Sequence, residues 1–583
     1  MLRHHQHAAS VVNATSPKGA SKVIFAYPAI ANSRAARNSE SEAGYGIYTP
    51  PTISSRTPLQ GCPSRVFKTS STMQQEITYR LLFATFLFGT LCAAVIVSKR
   101  RRSNALPWPP GPPSLPLIGN WMSLPSQTSW KTYAKWSRDY NSDLVSINAF
   151  GKVIVVINTA KAAQALLEQR SAIYSDRPFL TIVTLSGWDW FLGFIPYSDK
   201  WRVRRRIFQS ALREQACEEY RPMQHTMAEN MVKWLYQDPK DFQRYTNLTA
   251  AWLTLSLAWG YDAKPQGDSV VKLMEDAAQI VIDLTLPGTS VLNEIPLLRQ
   301  LPGWFPGMGY KARADECRTM TERILHGPIK SVKQSLVDGT ARESMASKLL
   351  RTNEGGVDLD AEMAIRDTVG SVYSAGAETT GSAIHFAFLA LVLNPHVQRR
   401  AQEEIDRVVG RDRLPTLNDR SILPYVGAVL RESMRWNNVT PMGIPHRASE
   451  DDVYEGRFIP KGAIVFGNIW AIMHDPAKYP DPTSFRPERF IQDDGTLNDD
   501  DIPFIFGFGR RVCPGKFIAD SSVWLAVASL LAVYNLSPAK DERGNDIPVK
   551  EAVVDGLTSR PLPFECSIKP RDSIAEALIK GLA

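Results

Sequence analysis

Phe506-Gly507-Phe508-Gly509-Arg510-Arg511-Val512-Cys513-Pro514-Gly515 is the stretch whose reading decides the fold of this chain. It holds one cysteine in a loop punctuated by three glycines, with an arginine two residues before the sulfur. Residues 516–534, directly after it, read as a helix. Glycine lets backbone approach a ligand closely and adopt positive φ. A thiolate can ligate a metal, and a guanidinium can pair a carboxylate on the ligand's rim. Together they suit a flat, anionic, metal-centred ligand. The competing reading is an ordinary buried cysteine at a helix start, and the spacing FxxGxRxCxG argues against it.

The other cysteines do not compete for that role. The chain has 583 residues and six cysteines, Cys62, Cys92, Cys217, Cys317, Cys513 and Cys566, with no CxxC spacing. That excludes a zinc site and a disulfide framework, and fits a reducing compartment with one functional thiol. Hydrophobic and charged contents of 44% and 22% are those of a globular protein. A net charge of +8 is modest for this length, and no nucleic-acid motif accompanies it.

Toward the N-terminus, residues 1–72 are rich in Ser, Ala, Thr and Pro and have no helical or strand period. They read as a disordered tail or as an extension ahead of Met73, where the chain has a natural start. Residues 81–97, LLFATFLFGTLCAAVIV, are 17 uncharged positions. As a helix they reach roughly 26 Å, close to the thickness of a thin bilayer. Lys99-Arg100-Arg101-Arg102 comes next, and the positive-inside rule keeps it cytosolic. Pro107-Trp108-Pro109-Pro110-Gly111-Pro112-Pro113 reads as a rigid strut, so 98–114 is a basic, Pro-rich linker.

From 115 to 570 the chain reads as one large, mainly α domain with small β-sheets, and 571–583 as a C-terminal tail. Short strands are expected at 144–148, 153–157, 453–459 and 463–468. The apolar, proline-broken segment 293–307 reads as surface that dips into lipid or as core. Within the longest helical stretch, 360–394, lies Ala375-Gly376-Ala377-Glu378-Thr379-Thr380. Glycine costs about 1 kcal/mol in a helix interior, and a Thr hydroxyl can bond the carbonyl one turn back. Those residues suggest a groove with a proton-handling pair facing a ligand. Trp201 and Arg205 are four apart on a basic helix and share a face. Glu432 and Arg435 share another, and Arg489 of the Pro487-Glu488-Arg489-Phe490 motif would complete a buried charged network.

These four signatures, in this order behind an anchor and a proline strut, resemble a microsomal cytochrome P450 monooxygenase. His446-Arg447, Asn468-Ile469-Trp470-Ala471 and Asp475-Pro476 are similar to basidiomycete members of the O-methylsterigmatocystin oxidoreductase-like group. The resemblance implies that Cys513 is the axial ligand of the iron of heme b. It implies that Phe506 packs beside the sulfur and that Gly509 and Gly515 allow the tight loop. Arg511, Trp201, Arg205 and His446 would hold the propionates. Thr379 and Glu378 would deliver protons during dioxygen activation, and Glu432, Arg435 and Arg489 would form a structural triad.

The same resemblance implies oxygen insertion into a small apolar substrate, a secondary metabolite or xenobiotic. The chain has no flavin or iron–sulfur motif, so the electrons must come from outside. For this family the donor is NADPH–cytochrome reductase, with cytochrome b5 as an accessory donor. Arg202, Arg204, Arg206 and Lys516 are expected to dock it. The setting implied is the endoplasmic-reticulum membrane, single-pass, in contact with lipid, with the catalytic domain cytosolic and no nucleic-acid partner. Two other readings are a haem-thiolate isomerase or dehydratase that needs no reductase, and a non-catalytic membrane haem protein. The intact threonine region counts against both. Specificity is expected to come from 179–194, 283–292, 370–380, 439–444 and 556–562. If Met73 is the true start, mass spectrometry of the natural protein yields no peptides from 1–72; their presence overturns that start.

Overall fold

The computed structural model describes scattered residues of 78–90, then 106–285, 300–302, 308–352 and 359–582, apart from Leu117 and Ser126. The expectations for 1–72 and 98–102, most of those for 81–97 and 293–307, and the end of 283–292 therefore lie outside the described residues. Two compact units partition the chain at Ala84. Of the first, a few residues from Thr78 to Phe83 are described, as helix with exposed side chains. The second, Thr85–Ala583, carries every motif of the sequence outside the N-terminal region.

Among the helices of this second unit are α1 (Asp199–Leu212), α2 (Arg221–Gln237), α3 (Phe242–Trp259), α4 (Ser269–Thr285), α5 (Leu359–Leu393), α6 (Pro424–Trp436), α7 (Lys516–Val533) and α8 (Ser573–Gly581). The 35 residues of α5 make a rod of roughly 52 Å through the centre. Asp360 and Glu362 sit in its first turn, where carboxylates favour the helix dipole. Asn394 and Pro395 end it. Nearly every side chain from Thr380 to Val392 is buried, so this stretch is apolar all round because it is enclosed all round. α5 and α7 are long and apolar enough to cross a membrane, but 67% of each apolar window is buried inside the protein. They are core helices. Two glycines of α5 let α3 pack close: a Cβ on Gly376 would lie 2.7 Å from Thr254 Cγ2, and one on Gly381 2.7 Å from Asn247 Oδ1.

The largest sheet has four strands in the order β1 (Leu144–Ala149), β2 (Lys152–Ile157), β6 (Ile464–Gly467) and β3 (His446–Arg447). β1 and β2 form an antiparallel hairpin, β2 pairs parallel with β6, and β6 antiparallel with β3. Two hairpins, β4–β5 (Asp452–Tyr454, Arg457–Ile459) and β8–β9 (Val553–Val554, Arg560–Pro561), are small, and β7 (Tyr534–Pro538) pairs with β10 (Cys566–Pro570). The expected single strand 453–459 is therefore a hairpin, turned at Glu455-Gly456, where both φ angles are positive.

Two expectations about the ends of this unit need correction. The proline segment is not a free strut. Ser146 of β1 donates its N–H to Pro110 O at 2.8 Å and its hydroxyl to Pro109 O at 2.5 Å. Asn120 Nδ2 donates to Pro112 O and Pro113 O. Proline cannot donate, but its carbonyls accept, so the segment lies along the sheet. Nor is 571–583 a tail. Asp572 caps α8 through the N–H groups of Ile574 and Ala575, and Ala575 and Ile579 bury one face.

Glu432 and Arg435 of α6 are both fully buried, 0% exposed. Arg435 donates to both carboxylate oxygens, at 2.6 and 2.9 Å, and Arg489 Nε donates to Oε1 at 3.1 Å. The Arg486 N–H donates to the same oxygen at 2.8 Å. The remaining guanidinium donors go to carbonyls of Met473, Pro480 and Pro482, so the network is well satisfied. Glu432→Ala would strand Arg435 without a counter-charge, and is expected to cost about 3–5 kcal/mol, read as a drop in the urea midpoint. A loss under about 1 kcal/mol, no more than an exposed pair contributes, overturns this account.

Candidate active site

The cysteine loop is tied by its own backbone. The Cys513 N–H donates to Phe506 O at 2.7 Å, Arg511 N–H to Phe508 O at 3.0 Å, and Val512 N–H to Gly509 O at 3.2 Å. Gly507 (φ +83°) and Gly509 (φ +50°) adopt the left-handed region, and a Cβ on Gly509 would lie 2.3 Å from Leu167 O. Gly515 has an ordinary φ of −93°, and a Cβ there would meet only van der Waals contacts within the protein. The turn itself therefore depends on Gly507 and Gly509 rather than Gly515. Directly after the loop, Ala519 N–H donates to Gly515 O as α7 begins.

Cys513 lines a cavity together with Phe506, Trp201, Arg205, Arg511, His446 and Thr379. Burial pushes the thiol pKa up, and the Gly515 N–H and the cations of Arg205 and Lys516 pull it partly back. Trp201 and Arg205 reach the cavity because α1 is locked to α5 through the residue before Arg205. Arg204 Nη2 and Nε donate to Asp367 Oδ2 at 2.6 and 3.0 Å, and both side chains are buried. Arg204 is therefore not a surface cation, and its expected part in docking a partner is withdrawn. Arg202 and Arg206 are exposed.

Three guanidinium groups and an imidazole crowd one end of this cavity. Arg177, Arg205, Arg511 and His446 are all under 10% exposed, and no carboxylate lines the cavity among the described residues. Arg205 Nη1 donates to Val512 O at 2.7 Å, beside the sulfur. Arg511 donates to the carbonyls of Ser175 and Ile195, and stacks 4.5 Å over the Trp201 ring. Arg177 Nη1 donates to Ile444 O and Pro445 O, but its Nε is buried without a partner. Burial and the neighbouring Arg511 cation hold the Arg177 pKa well down, and the Asp176 carboxylate, which also acts on Arg511, offsets this only in part. Burial brings Arg511 down to about 10, and His446 falls well below its usual range. Packed cations with an orphaned donor are costly unless an anion joins them. The donor set fits the carboxylates of a haem, with Cys513 left to face its iron. Arg177 escaped the sequence reading: it sits before Pro178 in no recognisable period, and only the fold brings it to the others.

On α5, Thr379 and Thr380 line the same cavity, with Ala375, Ser371 and Ala383. Thr379 Oγ1 donates back to Ala375 O at 2.7 Å. Glu378 does not join it. Successive helix residues lie about 100° apart, and Glu378 opens on a second cavity with Glu275, Tyr373 and Arg560. The expected acid–alcohol pair is thus split across two faces of one helix. Of the expected specificity segments, 179–194 contributes Phe191, Leu192 and Gly193, and 439–444 contributes Val439, Thr440, Met442, Gly443 and Ile444. The segment 556–562 does not line this cavity.

Comparison with known proteins identifies the family. The family model described as Cytochrome P450 matches residues 109–567. Cytochrome P450 monooxygenase ple1 of Rhodocybe pseudopiperita is 39% identical over 83% of this chain and 93% of its own length. Cytochrome P450 monooxygenase 98 of Postia placenta is 37% identical over 87% and 99%, respectively. Tryptamine 4-monooxygenase of Psilocybe cyanescens is 36% identical over 82% and 96%.

Arg177→Met is expected to speed haem loss to a scavenger protein about tenfold, since a charge-assisted hydrogen bond is worth roughly 1.5–3 kcal/mol. An unchanged rate removes Arg177 from the anion site.

Proposed function

The chain belongs to the cytochrome P450 family, monooxygenases that use heme b, and from that premise we propose that it inserts one atom of O2 into a small apolar secondary metabolite or xenobiotic. A redox partner is implied by the family. In this reading it is NADPH–cytochrome reductase, with cytochrome b5 as an accessory donor. The observation that carries the reading is one cavity into which Cys513 and Thr379 both open, with otherwise mainly apolar walls. Phe191, Phe208, Phe386, Val439, Ile444 and Ile469 supply much of that wall. Such a surface favours transfer of an apolar molecule out of water, by about 25 cal/mol per Å² buried. The related tryptamine 4-monooxygenase bears the name of an indole-bearing alkylamine, which supports an aromatic skeleton here.

Heme b, when bound, supplies oxygen activation at a thiolate-ligated iron. The chain's own residues hold and shield it. Cys513 would hold the iron through its thiolate. Arg177, Arg205, Arg511 and His446 would hold the propionates, and Trp201 braces Arg511. The Cys513 N–H bonded to Phe506 O fixes the loop, and the Gly515 N–H and Arg205 favour the thiolate over the thiol. Thr379 presents its hydroxyl to the cavity and holds a proton at Oγ1. Glu378, on the adjacent face, exchanges protons with water in the second cavity. The Glu432, Arg435 and Arg489 network holds α6 and the loop before the cysteine in place.

An anchor at 81–97 and a cytosolic catalytic domain on the endoplasmic reticulum complete the reading. They rest on the uncharged run and the basic cluster behind it. Arg206 is exposed and Lys516 half-exposed, and in this reading both face the reductase. With reductase, NADPH and a ligand chosen by its Soret shift, label from 18O2 is expected in product. Cys513→Ala is expected to abolish both that label and the thiolate-type carbon monoxide spectrum. Product formation without label overturns oxygen insertion. Reversing both charges, Arg206→Glu with Lys516→Glu, is expected to slow reduction about tenfold at low salt and leave the spectrum intact. Unchanged reduction excludes that face.

A further inference from the structure

Glu378 is held from an unexpected direction. Its Oε1 accepts a hydrogen bond from Thr558 Oγ1 at 2.5 Å, and Arg560 Nη1 lies 3.6 Å from the same oxygen. Both partners come from the C-terminal β8–β9 hairpin, 180 residues or more along the chain. Between them is Ser559, 2% exposed, whose N–H donates to Val439 O at 2.6 Å. Val439 belongs to the wall of the cysteine cavity. Thr558 lies in the bend before β9 and Arg560 opens that strand, and both side chains reach the same carboxylate oxygen. Three consecutive residues therefore grip the acid with their side chains and the wall of the first cavity with their backbone.

The second cavity, about 280 Å³, lies on the acid's side of α5. Glu275, Glu378 and Arg560 are its ionisable lining residues besides Tyr373. Arg560 is the cation within ion-pair distance of Glu378. Glu378 and Arg560 side chains are 29% and 38% exposed, so the pair is partly open to water and its energy is modest.

We propose that Thr558 and Arg560 are positioning residues for Glu378, holding it on the second-cavity side of α5 and coupling it to the wall of the reaction cavity. This rests on the reading of Thr379 and Glu378 as the proton-handling residues. With the acid untethered, protons arrive out of step with electrons. NADPH, a proton and O2 then leave as NADP+ and hydrogen peroxide, and product falls.

The test uses the full-length holoenzyme with reductase and a turned-over substrate. Two quantities are read: amide hydrogen exchange at Ser559, and peroxide formed per product. Arg560→Gln and Glu378→Ala are each expected to speed exchange at Ser559 roughly two- to fivefold, with no further gain in the double variant. Both are expected to raise the peroxide-to-product ratio at least twofold, and Arg560→Lys to restore part of it. Unchanged or additive exchange refutes the tether. Faster exchange with an unchanged ratio makes the tether merely structural and overturns the positioning role. Thr379→Ala separates the two levels: if it leaves the ratio unchanged, the proton-handling reading itself fails, whatever exchange reports.

Discussion

Buried positive charge in excess of its protein counter-charge is the constraint around which this structure is arranged: one carboxylate, Asp176, acts on Arg177 and Arg511. Arg177, Arg205 and Arg511 surround one end of a cavity whose described wall carries no carboxylate. Their donors are mostly spent on backbone carbonyls, of Ile444, Pro445, Val512, Ser175 and Ile195. Those carbonyls stand in for water around the buried charges without neutralising them, and Asp176 offsets them only in part. An anionic cofactor completes the balance. Its binding energy is thereby part of the fold's own stability.

The same bonds explain how distant segments are brought to one place. Arg205 links α1 to the carbonyl next to the sulfur, and Arg204, one residue before, links α1 to α5 through Asp367. Arg511 links the cysteine loop to the segment around Ser175 and Ile195. The Glu432 network does the equivalent work behind α6 and is better satisfied, because a carboxylate there meets two guanidinium groups and a backbone N–H. One network stands complete without a ligand. The other is complete only with one.

α5 separates two environments. Its Thr379 face looks on the cavity of Cys513, and its Glu378 face on a polar cavity gripped by the C-terminal hairpin. The helix period allows that division: successive residues lie about 100° apart, so Thr379 and Thr380 line one cavity while Glu378 lines the other. A mainly apolar chamber and one holding the Glu378–Arg560 pair thus adjoin the same turn of helix.

Much of this was written locally in the sequence. The cysteine loop, the expected helix 360–394 against the observed Leu359–Leu393, and the Glu432–Arg435 pair all depend on neighbours within a few turns. Glycine spacing, helical period and a terminating proline carry that information without reference to the rest of the chain. Even the tail that became α8 had a legible period in Ala575, Leu578, Ile579 and Leu582. Tertiary structure alone decided the rest. Arg177 became a site residue because β3 and the segment before α1 converge on it. Glu378 gained its partners only in the fold, where a hairpin 180 residues away offers it a hydroxyl and a cation. The proline segment became part of the sheet edge because Ser146 had donors to place. Each of these outcomes depends on burial and on long-range hydrogen-bond partners, and neither is encoded in the spacing of adjacent residues.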